Sequence, residues 1–135
     1  AGNLHSYNLC IIKNNEIKNK IAKLSFSQMW IVEAPVLLVF IVDLKRAESK
    51  YGSRGRDRYG FSDCNIACTY GQLCAEDLGL RSCWVGAFDE IEVTKLLGYD
   101  NNYIAAAILP IGYSNETARE HSHKFSILDK IAAAI

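Results

Sequence analysis

Residues 36–42 read VLLVFIV, seven consecutive apolar side chains rich in β-branched and aromatic types. Pro35 precedes them, and the run is too short for a typical helix. It reads as a strand buried on both faces. The full apolar stretch, 34–42, is nine residues. A membrane helix needs about 20, so the chain contains no span of that kind. A strand covered on both faces requires helices above and below it, and the rest of the chain offers candidates.

Tyr7 to Ile12 (YNLCII) reads as a short strand ending in the polar turn Lys13-Asn14-Asn15. Ile17, Ile21 and Leu24 then recur at i, i+4 and i+7, one apolar stripe of a helix capped by Asn14 or Asn15. The polar stretch 43–60 predicts a short helix over 43–51 followed by a glycine-punctuated loop. Ser62 to Leu78 reads as a central helix with unusually small residues: Cys64, Ala67, Cys68, Gly71, Cys74 and Ala75. A glycine inside the helix among such small side chains points to a close-packing role. Gly79 sits where a left-handed C-cap belongs. Ser82 to Val85 reads as a strand. Asp89 and Glu92 have the spacing of a capping box, with Phe88 and Val93 as the hydrophobic staple, so a helix starts at Glu90 and stops before Gly98. Ile104 to Leu109 is another buried strand, ended by Pro110. Ser126 to Ile135 is mildly helical, and its apolar end is expected to pack on a partner. With 135 residues and no internal repeat, the pattern predicts a single domain over 1–135, of α/β or α+β class.

Composition narrows function by exclusion. Fifteen basic and fifteen acidic side chains leave zero net charge, which argues against generic nucleic-acid binding. Half the residues are apolar and 22% are charged, which excludes a disordered chain. Five cysteines in 135 residues are odd in number and too sparse for a disulfide scaffold. Together with an N-terminus lacking signal-peptide features, they predict a cytoplasmic protein. The chain begins without Met, which suggests a fragment or a processed form.

The familiar phosphate-binding and nucleophile signatures GxGxxG, GxxxxGK[ST] and GxSxG are missing. Cys64, Cys68 and Cys74 have no recognised cluster spacing and read as small buried residues. His121-Ser122-His123 lacks companion ligands at zinc spacing, so no metal site is expected. Arg54 to Arg58 (RGRDR) reads as a solvated loop, with RNA phosphate contact as a weaker alternative. Trp84 to Asp89 (WVGAFD) lies at a strand end just before a capped helix, where small residues let a planar ligand approach backbone N–H groups.

Several segments together resemble the nitroreductase family of FMN-dependent oxidoreductases. They are AGNLHSY at 1–7, QMWIVEAPVLLVF at 28–40, RYG at 58–60, DLGLRSCWVGAFDE at 77–90, LLGY at 96–99 and ILPIGYS at 108–114. The resemblance implies an α+β fold with a central, mainly antiparallel sheet flanked by helices. It also implies an intertwined homodimer with FMN at the interface and NAD(P)H as electron donor. The activity implied is hydride transfer through flavin N5 to a nitroaromatic, quinone-like or other conjugated small-molecule acceptor, by a ping-pong mechanism. Neither nucleic acid nor membrane is an expected partner. By the same resemblance, Ala1, Gly2 and Asn3 lie against the flavin of the other subunit. Ser27 and Gln28 reach the polar edge of the ring. Val85, Gly86 and Ala87 form the turn beneath it, with the Gly86 N–H toward N5. Lys124, with His123 or Arg119, contacts the phosphate. Some relatives carry Glu at the position of Gly86, and relatives open with an arginine-rich segment upstream of the Asn motif. This chain starts after that segment, as either a truncated piece or a divergent form with weakened flavin binding. The alternative function is therefore a non-catalytic or flavin-weakened relative acting as a ligand-binding or interaction protein.

Overall fold

The computed structural model describes residues 1–116. The elements run β1 (Tyr7–Ile12), α1 (Asn15–Leu24), a 3-10 turn (Met29–Glu33), β2 (Val36–Asp43), α2 (Leu44–Arg54), a π turn (Gly55–Tyr59), α3 (Gly60–Asp77), β3 (Arg81–Ser82), α4 (Glu90–Leu96) and β4 (Tyr103–Gly112). The four strands form one sheet in the order β1-β2-β4-β3, with every neighbouring pair antiparallel. The fold is α+β, as expected. Among the described residues no helix is long and apolar enough to cross a membrane.

β2 is the sheet's centre because its side chains alternate between two cores. Leu37, Val39 and Ile41 pack with Ile12, Ile21, Ile31 and Val93 under α1 and α4. Phe40 and Val42 pack with Cys64 and Cys68 under α3. The apolar run is therefore covered on both faces, which is why it shows no polar alternation.

In β4 the alternation breaks once. Phe40 pairs with Ala107 but Ile41 pairs with Ala105, which leaves Ala106 as the extra residue of a bulge. Ala106 and Ala107 consequently lie on the α3 side together, while Ala105 and Ile108 face the other core.

Local chemistry explains the helix starts. The Asn14 side chain caps α1, accepting from the N–H groups of Glu16 at 2.8 Å and Ile17 at 3.1 Å. Asp43 caps α2 through the Arg46 N–H at 2.8 Å. Asp89 caps α4 by accepting from the Glu92 N–H at 3.0 Å. The capping box expected here is only half made. The Asp89 N–H donates instead to the Leu24 carbonyl at 2.8 Å, and Glu92 turns outward to Lys95 at 2.7 Å.

Three other expectations are corrected. The loop expected after residue 51 is helical: α2 runs on through a kink at Gly52, and the π turn joins it to α3. A Cβ on Gly55 would stand 2.0 Å from the Ala47 carbonyl oxygen, so only glycine lets the π turn lie against α2. The strand expected at Ser82–Val85 is two residues, Arg81–Ser82, followed by one isolated bridge from Val85 to Ile108. And β4 does not stop at Pro110. Ile108 directs its N–H and C=O toward Val85, so Pro110, two residues on, faces the same side. There, between the Val85 bridge and the β3 pairing at Ile111, no strand residue stands opposite, so the missing N–H costs nothing.

The small residues of α3 divide: Cys74, expected to be buried, is exposed and Ala67 is half-buried, while the others turn toward the chain's own sheet. Cys64, Cys68 and Ala75 are buried, and a Cβ on Gly71 would meet Leu109 and Phe40 at 3.4 Å. They let α3 lie close on its own sheet. The outward face instead carries Ile66, Tyr70 and Leu73, at 56, 64 and 61% exposure.

Candidate functional site

The turn after β3 is held at both ends. Val85, buried, exchanges two backbone hydrogen bonds with Ile108 of β4: Val85 N–H to the Ile108 carbonyl at 2.9 Å, and the return bond at 3.0 Å. At the far end, the Gln28 amide nitrogen donates to the Ala87 carbonyl at 2.9 Å, and Asp89 N–H donates to the Leu24 carbonyl. Gly86 and Ala87 between these points are exposed. Among the described residues, neither of their N–H groups has a hydrogen-bond acceptor. This is an exposed pair of backbone donors on a rigid support, an arrangement suited to a planar ligand carrying acceptor atoms. The Trp84 indole flanks it: a Cβ on Gly86 would stand 3.3 Å from the indole nitrogen. A glutamate at position 86 would crowd that ring.

The segment bonded to this turn runs between α1 and the 3-10 turn. Ser25 ends α1, buried, with its hydroxyl donating to the Ile21 carbonyl at 2.8 Å. Phe26 and Ser27 follow at φ +53 and +60, two consecutive non-glycine residues in the left-handed region. Such conformations cost about 1–3 kcal/mol each and persist where surrounding bonds impose them. Here the bonds are Ser27 N–H to the Lys23 carbonyl and Gln28 N–H to the Ser25 carbonyl. The result aims Ser27 and Phe26 outward, both exposed. The 3-10 turn beyond is anchored by Lys18, a buried lysine whose ammonium donates to the carbonyls of Val32 at 3.2 Å and Ala34 at 2.8 Å.

The fold thus brings Gln28 to the Val85–Ala87 turn, with Ser27 exposed beside it in the chain. It does not bring Ala1, Gly2 and Asn3 there. A Cβ on Gly2 would meet Tyr51 and Lys50 of α2, and the Asn3 side-chain oxygen accepts from His5 at 2.8 Å. Ala1 and Asn3 line a separate cavity of about 330 Å³ with Asp63, Ile66 and Tyr70 of α3. Within one chain the two groups of residues therefore lie apart. Arg119, His123, Lys124 and the tail 126–135 lie outside the described residues.

The groups that tie the site together were not legible beforehand. The Leu24 and Ala87 carbonyls carry no side-chain signature. The Trp84 contact could have been suspected from WVG, an aromatic two residues before a glycine. Elsewhere, Arg54 at the end of α2 lies over the Tyr59 ring, and Arg56 of the π turn pairs with Glu48 at 3.5 Å. All five cysteines are free. Burial pushes the Cys64 and Cys68 thiols up to about 12.

Comparison with known proteins bears on this arrangement. A family model described as "Nitroreductase family" matches residues 26–113. A protein of Methanocaldococcus jannaschii, provisionally named a nitroreductase, is 31% identical over 86 residues, covering 64% of this chain and 43% of that protein. A protein of Archaeoglobus fulgidus, provisionally named an NADH dehydrogenase/NAD(P)H nitroreductase, is 26% identical over 121 residues, covering 86% of this chain and 66% of its own length. The chain thus spans less than two thirds of these relatives. Among solved structures, an FMN-dependent nitroreductase from Clostridium difficile superposes with a TM-score of 0.79 at 21% identity, covering 98% of this chain and 78% of that one.

Proposed function

The chain belongs to the nitroreductase family, and from that premise we propose that it is an FMN-dependent oxidoreductase working as a homodimer. In this reading NAD(P)H is the electron donor, and a nitroaromatic, quinone-like or other conjugated small molecule is the acceptor. The observation that carries the proposal is the exposed turn at Gly86 and Ala87, whose two N–H groups lack acceptors while both its ends are fixed.

These residues suit a flavin ring edge. An isoalloxazine presents acceptor atoms along its rim, and preorganised backbone donors hold such atoms at little reorganisation cost. The Gly86 N–H is the group proposed to orient flavin N5, and it does so without a side chain between ring and backbone. Exposed Ser27, next to Gln28 in the chain, is proposed to offer its hydroxyl to the ring's polar edge. FMN held there would supply the redox chemistry between NAD(P)H and the acceptor. One cleft serving donor and acceptor in turn gives ping-pong kinetics.

The two separated groups of residues fit a two-fold dimer. Asn3 beside α3 of one protomer would complete the turn of the other, with the outward stripe Ile66, Tyr70 and Leu73 as contact. Lys124, His123 and Arg119 are the proposed phosphate contacts. The free cysteines accord with a reducing cytoplasm.

The test is spectroscopic. Protein incubated with FMN and desalted should be yellow and should bleach when NADH or NADPH is added without oxygen. Protein that stays colourless at saturating FMN would favour a non-catalytic relative instead.

A further inference from the structure

We propose that Gln28 is a positioning residue whose carboxamide fixes the exit of the 85–87 turn and so sets the direction of the Gly86 and Ala87 N–H groups. The inference rests on the functional reading above, in which that turn receives the flavin ring. Its own ground is geometric.

The Gln28 amide nitrogen lies 2.9 Å from the Ser25 carbonyl and 2.9 Å from the Ala87 carbonyl. Two carbonyl oxygens can be served only by an NH2 group, so chemistry fixes which end of the amide points inward. Both hydrogens are then spent within the protein. Gln28 acts as a bridge between the end of α1 and the 85–87 turn, and its nitrogen is not free to donate to a ligand. This alters the role expected for it, which was direct contact with the ring's polar edge.

The bridge matters because of what it holds. Gly86 has no Cβ, and a glycine between two peptide units is the least restrained residue in a chain. Its entry is fixed by the paired bonds of Val85 to Ile108. Its exit is fixed by the Gln28 bond to Ala87 and, two residues later, by Asp89 to Leu24. Without Gln28, the exit restraint moves from residue 87 to the buried Phe88 and to Asp89. The two free donors then sit on a longer unrestrained stretch.

The experiment compares the chain with Gln28→Met, which keeps length but donates nothing, and Gln28→Glu, whose carboxylate sets more acceptors against the two carbonyls. Backbone 15N relaxation at residues 86 and 87 is measured first without flavin, then FMN affinity by titration, and unfolding midpoints control for folding. The expected result is greater mobility at both amides in the flavin-free variants, and FMN binding about tenfold weaker in Gln28→Met, the scale of one lost hydrogen bond. Gln28→Glu is expected to be weaker still. Weakened FMN binding with unchanged amide mobility would overturn the proposal, since Gln28 would then touch the ligand directly. Unchanged mobility and unchanged binding would overturn it too. Increased mobility in variants of a chain that itself binds no FMN would support the bridge and instead refute the functional reading.

Discussion

The hydroxyl of Thr94, on α4, accepts the N–H of Ala105 in β4 at 2.8 Å while donating to the Glu90 carbonyl at 2.6 Å. Ala105 stands beside the bulge, where the ladder to β2 shifts register, and both residues are buried. Thr94 thus supplies a partner to a strand amide at the irregularity that sets the phase of β4. Thr94→Val keeps the shape and removes the acceptor, leaving a buried N–H unpaired. We expect a loss of about 1–3 kcal/mol in chemical denaturation, against little change for Thr94→Ser.

Gly71 supports a second prediction. Its open side faces Leu109 and Phe40 of the same protomer. Gly71→Leu should therefore overpack the core beneath α3 and cost about 1–3 kcal/mol, with no selective effect on association. Tyr70→Glu, on the outward face, should do the reverse: sedimentation should show monomer while the protomer's unfolding midpoint barely moves.

The buried thiols give a pH dependence. Cys64 and Cys68 ionise near pH 12 in the folded chain against an ordinary 9.0, because burial penalises the thiolate. Their contribution to stability is complete below about pH 9 and is lost as pH rises toward 12, since only the unfolded chain releases those protons. Unfolding midpoints followed from pH 8 to 11 should fall less steeply in a Cys64→Ala, Cys68→Ala chain than in the unmodified one. At pH 8 a thiol reagent should label exposed Cys83 in the native protein and reach Cys64 and Cys68 only on unfolding.

Much of this architecture could be read from side-chain pattern. VLLVFIV is a strand buried on both faces, because its neighbours in both cores are apolar. Asn14 and Asp89 cap helices as their positions suggest. What escaped the pattern depended on the third dimension. Gly71 and Cys68 look equally suited to a partner helix or to a sheet, and only the packing of Leu109 and Phe40 decides. Pro110 reads as a strand end until its neighbour strand is seen to leave that position unpaired. Residues 55–59 read as a loop because nothing local announces that Gly55 presses on the Ala47 carbonyl. At the site, family resemblance singles out both Gln28 and Ala87, which the fold joins by a hydrogen bond. The bridge from Gln28 to a main-chain carbonyl is not legible, since a carbonyl leaves no mark in the sequence.

The account turns on whether two copies of this chain hold flavin at the exposed turn. Mass spectrometry of the native protein in the presence of FMN asks this in one spectrum. The account predicts the mass of two chains plus two FMN, with the flavin lost in a Gly86→Pro variant that removes one N–H and keeps the dimer. A flavin-free single chain at saturating FMN, or a dimer whose two flavins survive that substitution, would contradict it.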